Sequence, residues 1–204
     1  MKVLSMPQGS PEWLAARAGK VTASRISDVM AAKTTAAYKN YQAQIVAEIL
    51  TGQPQESGFS NAAMQWGTDK EPLARAEYEM FCAWDVEEVG LVLHPTIERG
   101  ASSPDGLVSS DGLVEIKCPN TTTHLQTLID KKQPSKYEYQ MLWNMACTGR
   151  KWCDFVSYDP RLPDDLQLFV HRFDRDDKRI EEIEAAVTQF LSEVNEMIDN
   201  IRKK

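Results

Sequence analysis

Two carboxylates and a lysine stand close together in the middle of a chain of 204 residues. Asp105 falls within Ser102-Ser103-Pro104-Asp105-Gly106, and further on comes Glu115-Ile116-Lys117. A tight turn centred on Ser110 and Asp111 would lay Asp105 across a hairpin from Glu115, to within about a residue. Strand alternation then puts Glu115 and Lys117 on one face, roughly 7 Å apart at about 3.3 Å per residue, while Val114 and Ile116 turn to the core. Two carboxylates and an exposed backbone carbonyl, that of Ile116, are hard oxygen ligands. They suit Mg²⁺, which keeps several waters and accepts a substrate phosphate as a further ligand. The chemistry this predicts is phosphodiester hydrolysis. One metal polarises the attacking water and a second, if present, stabilises the leaving 3′ oxygen, while Lys117 positions the nucleophile or offsets charge on the scissile phosphate. The same residues also describe an ordinary hairpin with Glu and Lys on its outward face, because Asp-Gly is a favoured turn dipeptide. From the triplet alone both readings stay open.

The elements that must position these residues follow from periodicity. Residues 10–18 and 22–32 read as short helices, the first with Ser10 as N-cap and Pro11 at the first helical position, the second with Ile26, Val29 and Met30 at helical spacing. Tyr38, Tyr41, Ile45 and Ile49 mark a third helix, and Leu73, Ala76, Met80 and Phe81 a fourth over about 60–83. Between them 51–60, rich in Gly, Pro and Ser, reads as a loop. After residue 85 the period shortens: 86–93, 97–101, 106–108 and 113–117 read as strands of a mostly antiparallel sheet. Helices return at 123–130 and 135–147, strands at 153–158 and 166–171, and a last helix at about 176–201. The expectation is an α/β fold, one central mixed sheet flanked by helices, in a single domain over 1–204: N-terminal helices to 84, the catalytic sheet and its helices over 85–173, and a C-terminal helix over 174–204.

Charge and cysteines narrow the class. Thirty acidic against 23 basic residues give a net charge of −7, which argues against a protein that coats nucleic acid by bulk attraction. A local basic groove is still available from Lys131, Lys132, Lys136, Arg150 and Lys151, which equally suit a solvated surface. No apolar run approaches a membrane span and the first ten residues lack the pattern of a secretory leader, so a soluble, unexported protein is expected, with no membrane partner. Cys82, Cys118, Cys147 and Cys153 form no CxxC pair and read as free thiols of a reducing cytoplasm. His94, His124 and His171 have no partner at metal-ligand spacing. Trp66, Trp84, Trp143 and Trp152 read as core and Trp13 as packing, with base stacking open to it.

In four blocks the sequence resembles the phage lambda exonuclease and YqaJ-type viral recombinase family of the PD-(D/E)xK nuclease superfamily. The first runs Gly9-Ser10-Pro11-Glu12-Trp13-Leu14-Ala15-Ala16-Arg17 and on to Thr22-Ala23-Ser24-Arg25. The others are Gly67-Thr68 to Glu71-Pro72, Ser103-Pro104-Asp105-Gly106 with Glu115-Ile116-Lys117-Cys118-Pro119, and Tyr137-Glu138-Tyr139-Gln140-Met141. They span residues 9 to about 158 in the family's order. The resemblance implies processive 5′-to-3′ digestion of one strand of linear double-stranded DNA, Mg²⁺ as cofactor with Mn²⁺ able to substitute, and a ring-shaped homotrimer. It also implies a single-strand annealing protein as partner and a phage or prophage gene expressed in the cytoplasm of a bacterial host. By motif position Asp105 and Glu115 match the metal ligands, Lys117 the catalytic lysine, Glu71 a further acidic residue near the metal, and Gln140 the glutamine of the following helix. Arg25 matches the arginine that holds the 5′ phosphate; a guanidinium offers a terminal phosphate dianion two parallel hydrogen bonds. Ser24 beside it adds a hydroxyl, and Ser103 matches the serine ahead of the first ligand.

Two other functions fit the same residues. A restriction-like endonuclease of the superfamily would cut covalently closed DNA, and a catalytically silent DNA-end binding subunit would release nothing with or without Mg²⁺.

Overall fold

The strands form two sheets where the sequence suggested one. The computed structural model describes residues 1–55 and 62–203. The first sheet holds β1 (Lys2–Leu4), β2 (Val21–Thr22), β4 (Leu91–Leu93) and β5 (Gly100–Ser102) in the order β1-β4-β5-β2. The second holds β3 (Val86–Glu87), β6 (Gly106–Val108), β7 (Gly112–Lys117), β8 (Trp152–Tyr158) and β9 (Leu168–Asp174) in the order β3-β6-β7-β8-β9. Each is mixed, with β2 parallel to β5 and β7 parallel to β8 in otherwise antiparallel ladders. The single strand expected over 86–93 is split between the sheets. Gly90 lies in the break, where a Cβ would stand 2.3 Å from the Leu4 carbonyl oxygen, so only glycine lets the two backbones pass.

Helices α1 (Pro11–Arg17), α2 (Ile26–Val29), α3 (Ala36–Thr51), α4 (Ala62–Cys82), α5 (Thr121–Asp130), α6 (Glu138–Thr148) and α7 (Asp177–Arg202) complete the described chain. Ser10 caps α1 as expected, accepting from the Trp13 N–H. The helix expected over 22–32 is cut short. β-branched Val21 and Thr22 pair with β5, a 3₁₀ turn covers Ala23–Arg25, and only Ile26–Val29 is α-helical. The loop expected over 51–60 begins after Gly52, which ends α3 in the left-handed conformation, and its later part, like the first two residues of the fourth helix, lies outside the described residues.

The main core lies between α2, α3, α6 and α7 and one face of the sheets, around Tyr41, Ile45, Trp143, Phe155 and Phe190. The stripe Ile180, Ile183, Val187, Phe190, Leu191, Val194 and Ile198 of α7 is buried there, as read from its spacing. A smaller cluster packs α4, through Ala74 and Tyr78, on the other face of the second sheet against Val108, Val114, Ile116 and Val156. Strand β7 is therefore covered on both faces. Val114 and Ile116 do point into a core, the smaller one, but Glu115 shares the main-core face with Leu113 and is fully buried.

Two surface expectations need correction. Arg150 and Lys151 sit at the Gly112 end of β7, Arg150 donating to the carbonyls of Val108, Ser109 and Gly112 and Lys151 pairing with Asp111, at the far end of the strand from Lys117. They brace a turn and add nothing to a groove beside Glu115. Among the tryptophans only Trp143 is fully buried; Trp66 and Trp152 are half-buried, and Trp84 is exposed, tilted against Trp152. All four cysteines are free thiols, and no described helix is long and apolar enough to cross a membrane.

Candidate active site

Asp105 stands where the chain passes from the first sheet to the second, between the end of β5 at Ser102 and the start of β6 at Gly106. The β6–β7 turn takes three residues, Ser109 to Asp111, with Ser109 in the left-handed region at φ 49°. That length pairs Gly106 with Val114, so the next position back, Asp105, faces Glu115. Asp105 Oδ2 accepts the Ile116 N–H at 2.6 Å, which ties the carboxylate to the neighbouring strand.

Glu115 is saturated with donors. Gln140 Nε2 reaches Oε1 at 2.5 Å, Asn144 Nδ2 reaches Oε2 at 3.0 Å, and the Lys117 ammonium pairs with Oε1. Gln140 and Asn144 are one turn apart on α6, so a single helix face supplies both amides. Burial, then the charge of Asp105, pushes the Glu115 carboxyl up to about 7 against the pull of Lys117. For Lys117 burial works against the ammonium, but Glu115 and Asp105 outweigh it and hold the group above its ordinary range. Its Nζ also lies 5.4 Å from the Tyr137 ring centroid.

Glu71 arrives from α4, which continues through Pro72. Arg75, one turn on, donates to Glu71 at 2.8 Å and pairs also with Glu88. Burial and then Asp105 push Glu71 up to about 7 as well, with Arg75 and Lys117 opposing. Glu71, Asp105 and Glu115 thus form a desolvated, mutually repelling group. Its donors are all oxygens, and a hard divalent cation would relieve the repulsion. Among the described residues no three His, Cys, Asp or Glu side chains converge closely enough to enclose an ion by themselves. A cation content with two carboxylates and several waters would fit here, with Asp105 and Glu115 as the side chains that could hold it.

A cleft opens beside this group, lined by Gln8, Trp13, Arg17, Ser24, Ser103, Asp105 and Gln140. Trp13 Nε1 donates to Ser103 Oγ at 2.9 Å, and the Arg17 guanidinium stacks 3.9 Å from the centre of the Trp13 ring. The structure therefore brings Ser24 and Ser103 to the cleft of Asp105. Arg25 lies along a wider groove with Arg17, Glu71 and Arg75. Its Nε is bound to Asp28 at 2.5 Å, its Nη1 to Gln44 at 2.9 Å, and its plane covers Tyr41. The arginine that shares the narrow cleft with Asp105 is Arg17. Sequence reading passed over it, although Trp13 and Arg17 stand at the (i, i+4) spacing that puts both on one face of α1. Asn144 was passed over too, and its signal was the same spacing from Gln140. Two histidines are held within the fold, His94 against Trp143 and Glu184, and His124 between Ser157 and the Leu166 carbonyl.

Residues 12–151 match the model of the YqaJ-like viral recombinase domain. The chain belongs to this family. Among solved structures it is similar to LHK-Exo, an alkaline exonuclease from Laribacter hongkongensis, at 52% identity over 95% of this chain and 97% of that one. The TM-scores are 0.89 for that structure and 0.90 for LHK-Exo in complex with dAMP. A phage related exonuclease from Haemophilus somnus 129PT, 16% identical over 89% of this chain and 96% of that one, has a TM-score of 0.72 and shares the fold. No match was found among curated protein sequences. The expected family and its PD-(D/E)xK-type α/β architecture are those of this YqaJ-family chain.

Proposed function

We propose that the chain is a Mg²⁺-dependent exonuclease that degrades one strand of linear double-stranded DNA from 5′ to 3′. The 3′ single-stranded overhang it leaves would serve a single-strand annealing protein in recombination. The observation that carries this reading is the juxtaposition of Asp105 with buried Glu115 and with Lys117, beside a cleft that Asp105 shares with Arg17, Ser24 and Ser103. Support comes from the family, a viral recombinase domain, and from the name of the 52%-identical relative, an alkaline exonuclease. That relative was solved with dAMP, which fits deoxynucleoside monophosphates as the released product.

Asp105 and Glu115, with the Ile116 carbonyl, would hold the cation, and Glu71 would add negative charge nearby. When bound there, Mg²⁺, or Mn²⁺ in its place, would supply charge neutralisation at the scissile phosphate and activation of water. Lys117 carries positive charge at the reacting phosphate, and its pairing with Glu115 fixes its direction. Gln140 orients Glu115. Arg17, with Ser24 and Ser103, receives the terminal 5′ phosphate, and Arg25 lines the groove along which the duplex approaches.

Assembly as a ring-shaped homotrimer accounts for processive digestion by a subunit of net charge −7, since a threaded duplex stays close without strong contacts. Leu73, Met80 and Phe81 are exposed on α4 and offer apolar surface to such an interface. The site of action is the cytoplasm of a bacterial host. Linear duplexes labelled separately at each terminus, bearing 5′ phosphate or 5′ hydroxyl, test the proposal beside closed circular DNA. Loss of the 5′ label first, as mononucleotide and only with Mg²⁺ or Mn²⁺, is the expected result. Cutting of closed circles would replace it with an endonuclease, and no release under any condition with a DNA-end binding subunit.

A further inference from the structure

Glu115 has two oxygens in two different surroundings. Oε1 takes its donors from Gln140, which itself lines the cleft, and from Lys117. Oε2 takes its hydrogen bond from Asn144, which is fully buried in the main core's helix layer. The Asn144 amide oxygen is itself buried without a partner. A leucine of similar volume would avoid that orphaned acceptor, so the one thing asparagine provides here is the N–H donor to Oε2.

The geometry points to Asn144 as the positioning residue that makes Glu115 a one-oxygen metal ligand and so favours Mg²⁺ over Ca²⁺. The inference rests on the reading of Asp105 and Glu115 as the metal-holding pair. Mg²⁺ demands near-octahedral geometry at short distance, which a single carboxylate oxygen per residue suits, whereas the larger Ca²⁺ accepts both oxygens of one carboxylate. With Oε2 tied to Asn144, Glu115 can present Oε1 alone. Without that bond Oε2 loses its donor while Gln140 and Lys117 still hold Oε1, and the carboxylate could offer its second oxygen to a larger ion as well.

Mn²⁺ binding to the DNA-free protein, followed by electron paramagnetic resonance with Mg²⁺ or Ca²⁺ as competitor, reads this directly. In Asn144→Leu, Mg²⁺ should compete about tenfold or more weakly, the usual scale for losing a group that orients a ligand. Ca²⁺ should compete as well as before or better. The Mg²⁺ needed for half-maximal DNA hydrolysis should rise while KM for DNA stays put, as a merely structural lesion would not do. Asn144→Ser, too short to reach Oε2 but polar, serves should the leucine variant fail to fold. An unchanged Mg²⁺-to-Ca²⁺ ratio in a folded variant, or equal loss of both cations, overturns the role of Asn144. Mn²⁺ binding that Glu115→Gln leaves untouched would instead remove the metal-holding pair itself.

Discussion

Asp105 Oδ2 and the Ile116 N–H are joined by a hydrogen bond of 2.6 Å that crosses from the approach to β6 onto β7. One carboxylate thus serves two ends, fastening the strand that carries Glu115 and Lys117 while offering its charge to the cleft. Asn at this position can still accept from Ile116 through its amide oxygen but brings no charge. Asp105→Asn should therefore leave the thermal transition within a few degrees of wild type and reduce Mg²⁺-dependent nucleotide release to background. Near wild-type release would take Asp105 out of the site.

Arg17 and Arg25 make a contrast that end-labelled DNA can resolve. Arg17 stacks on Trp13 in the cleft of Asp105, whereas Arg25 is bonded to Asp28 and Gln44. If the 5′ phosphate enters that cleft, Arg17→Ala removes a charge-assisted contact worth about 1.5 to 3 kcal/mol and should erase most of the preference for phosphorylated ends. Arg25→Ala should lower affinity for duplex generally and keep the preference. The reverse pattern in competition between phosphorylated and hydroxyl ends would return the phosphate to Arg25.

That contrast also marks what the sequence could and could not carry. The facing of Asp105 and Glu115 was legible because period 2 and the length of one turn decide it, and both are local. The stripe on α7 was legible for the same reason at period 3.6. The division into two sheets was not, because β2 and β5 find each other across a long stretch of chain and nothing near Val21 and Thr22 announces the pairing. Glu115 looked like an outward residue because alternation predicts a polar face; α6 covers that face, and Gln140 and Asn144 satisfy the carboxylate where water would have. Trp84 looked like core by type alone, and its position just past the end of α4 leaves it exposed.

Acid stability should depend on Asp159, whose side chain is fully buried behind Arg161. Burial alone would raise its carboxyl, but hydrogen bonds from Arg161 and Thr121 outweigh it and hold the group at about 2. A depressed carboxyl stabilises the fold fully above the unfolded value near 4 and loses that contribution as pH falls through about 2. Arg161 also donates to the Pro119 carbonyl and covers Trp66 of α4. Arg161→Ala should thus cost about 1 to 3 kcal/mol at neutral pH by leaving a buried acceptor short of donors. The gap in denaturation midpoint between wild type and Asp159→Asn should narrow from pH 4 to pH 2. A gap that stays constant over that range would show that Asp159 does not titrate with folding.

Gly106 follows Asp105 and reads in the sequence as half of a turn dipeptide, yet it lies in β6 with ordinary backbone angles. Its glycine is required by what stands over it. A Cβ there would meet Val86 Cγ1 of β3 at 2.1 Å and Val114 Cγ1 of β7 at 3.2 Å. Valine is stiff about χ1, so Val86 cannot swing aside without leaving its rotamer, and β3 would have to shift. Gly106→Ala should destabilise the fold by about 1 to 3 kcal/mol, the scale of overpacking in a filled interior. Because the strand also begins next to Asp105, activity should fall further than stability alone accounts for. Val86→Ala frees the space, so the double variant should recover most of the stability lost by Gly106→Ala. Chemical denaturation of the two single variants and the double gives the coupling energy, and strict additivity would mean that the clash with Val86 is not what keeps this position glycine.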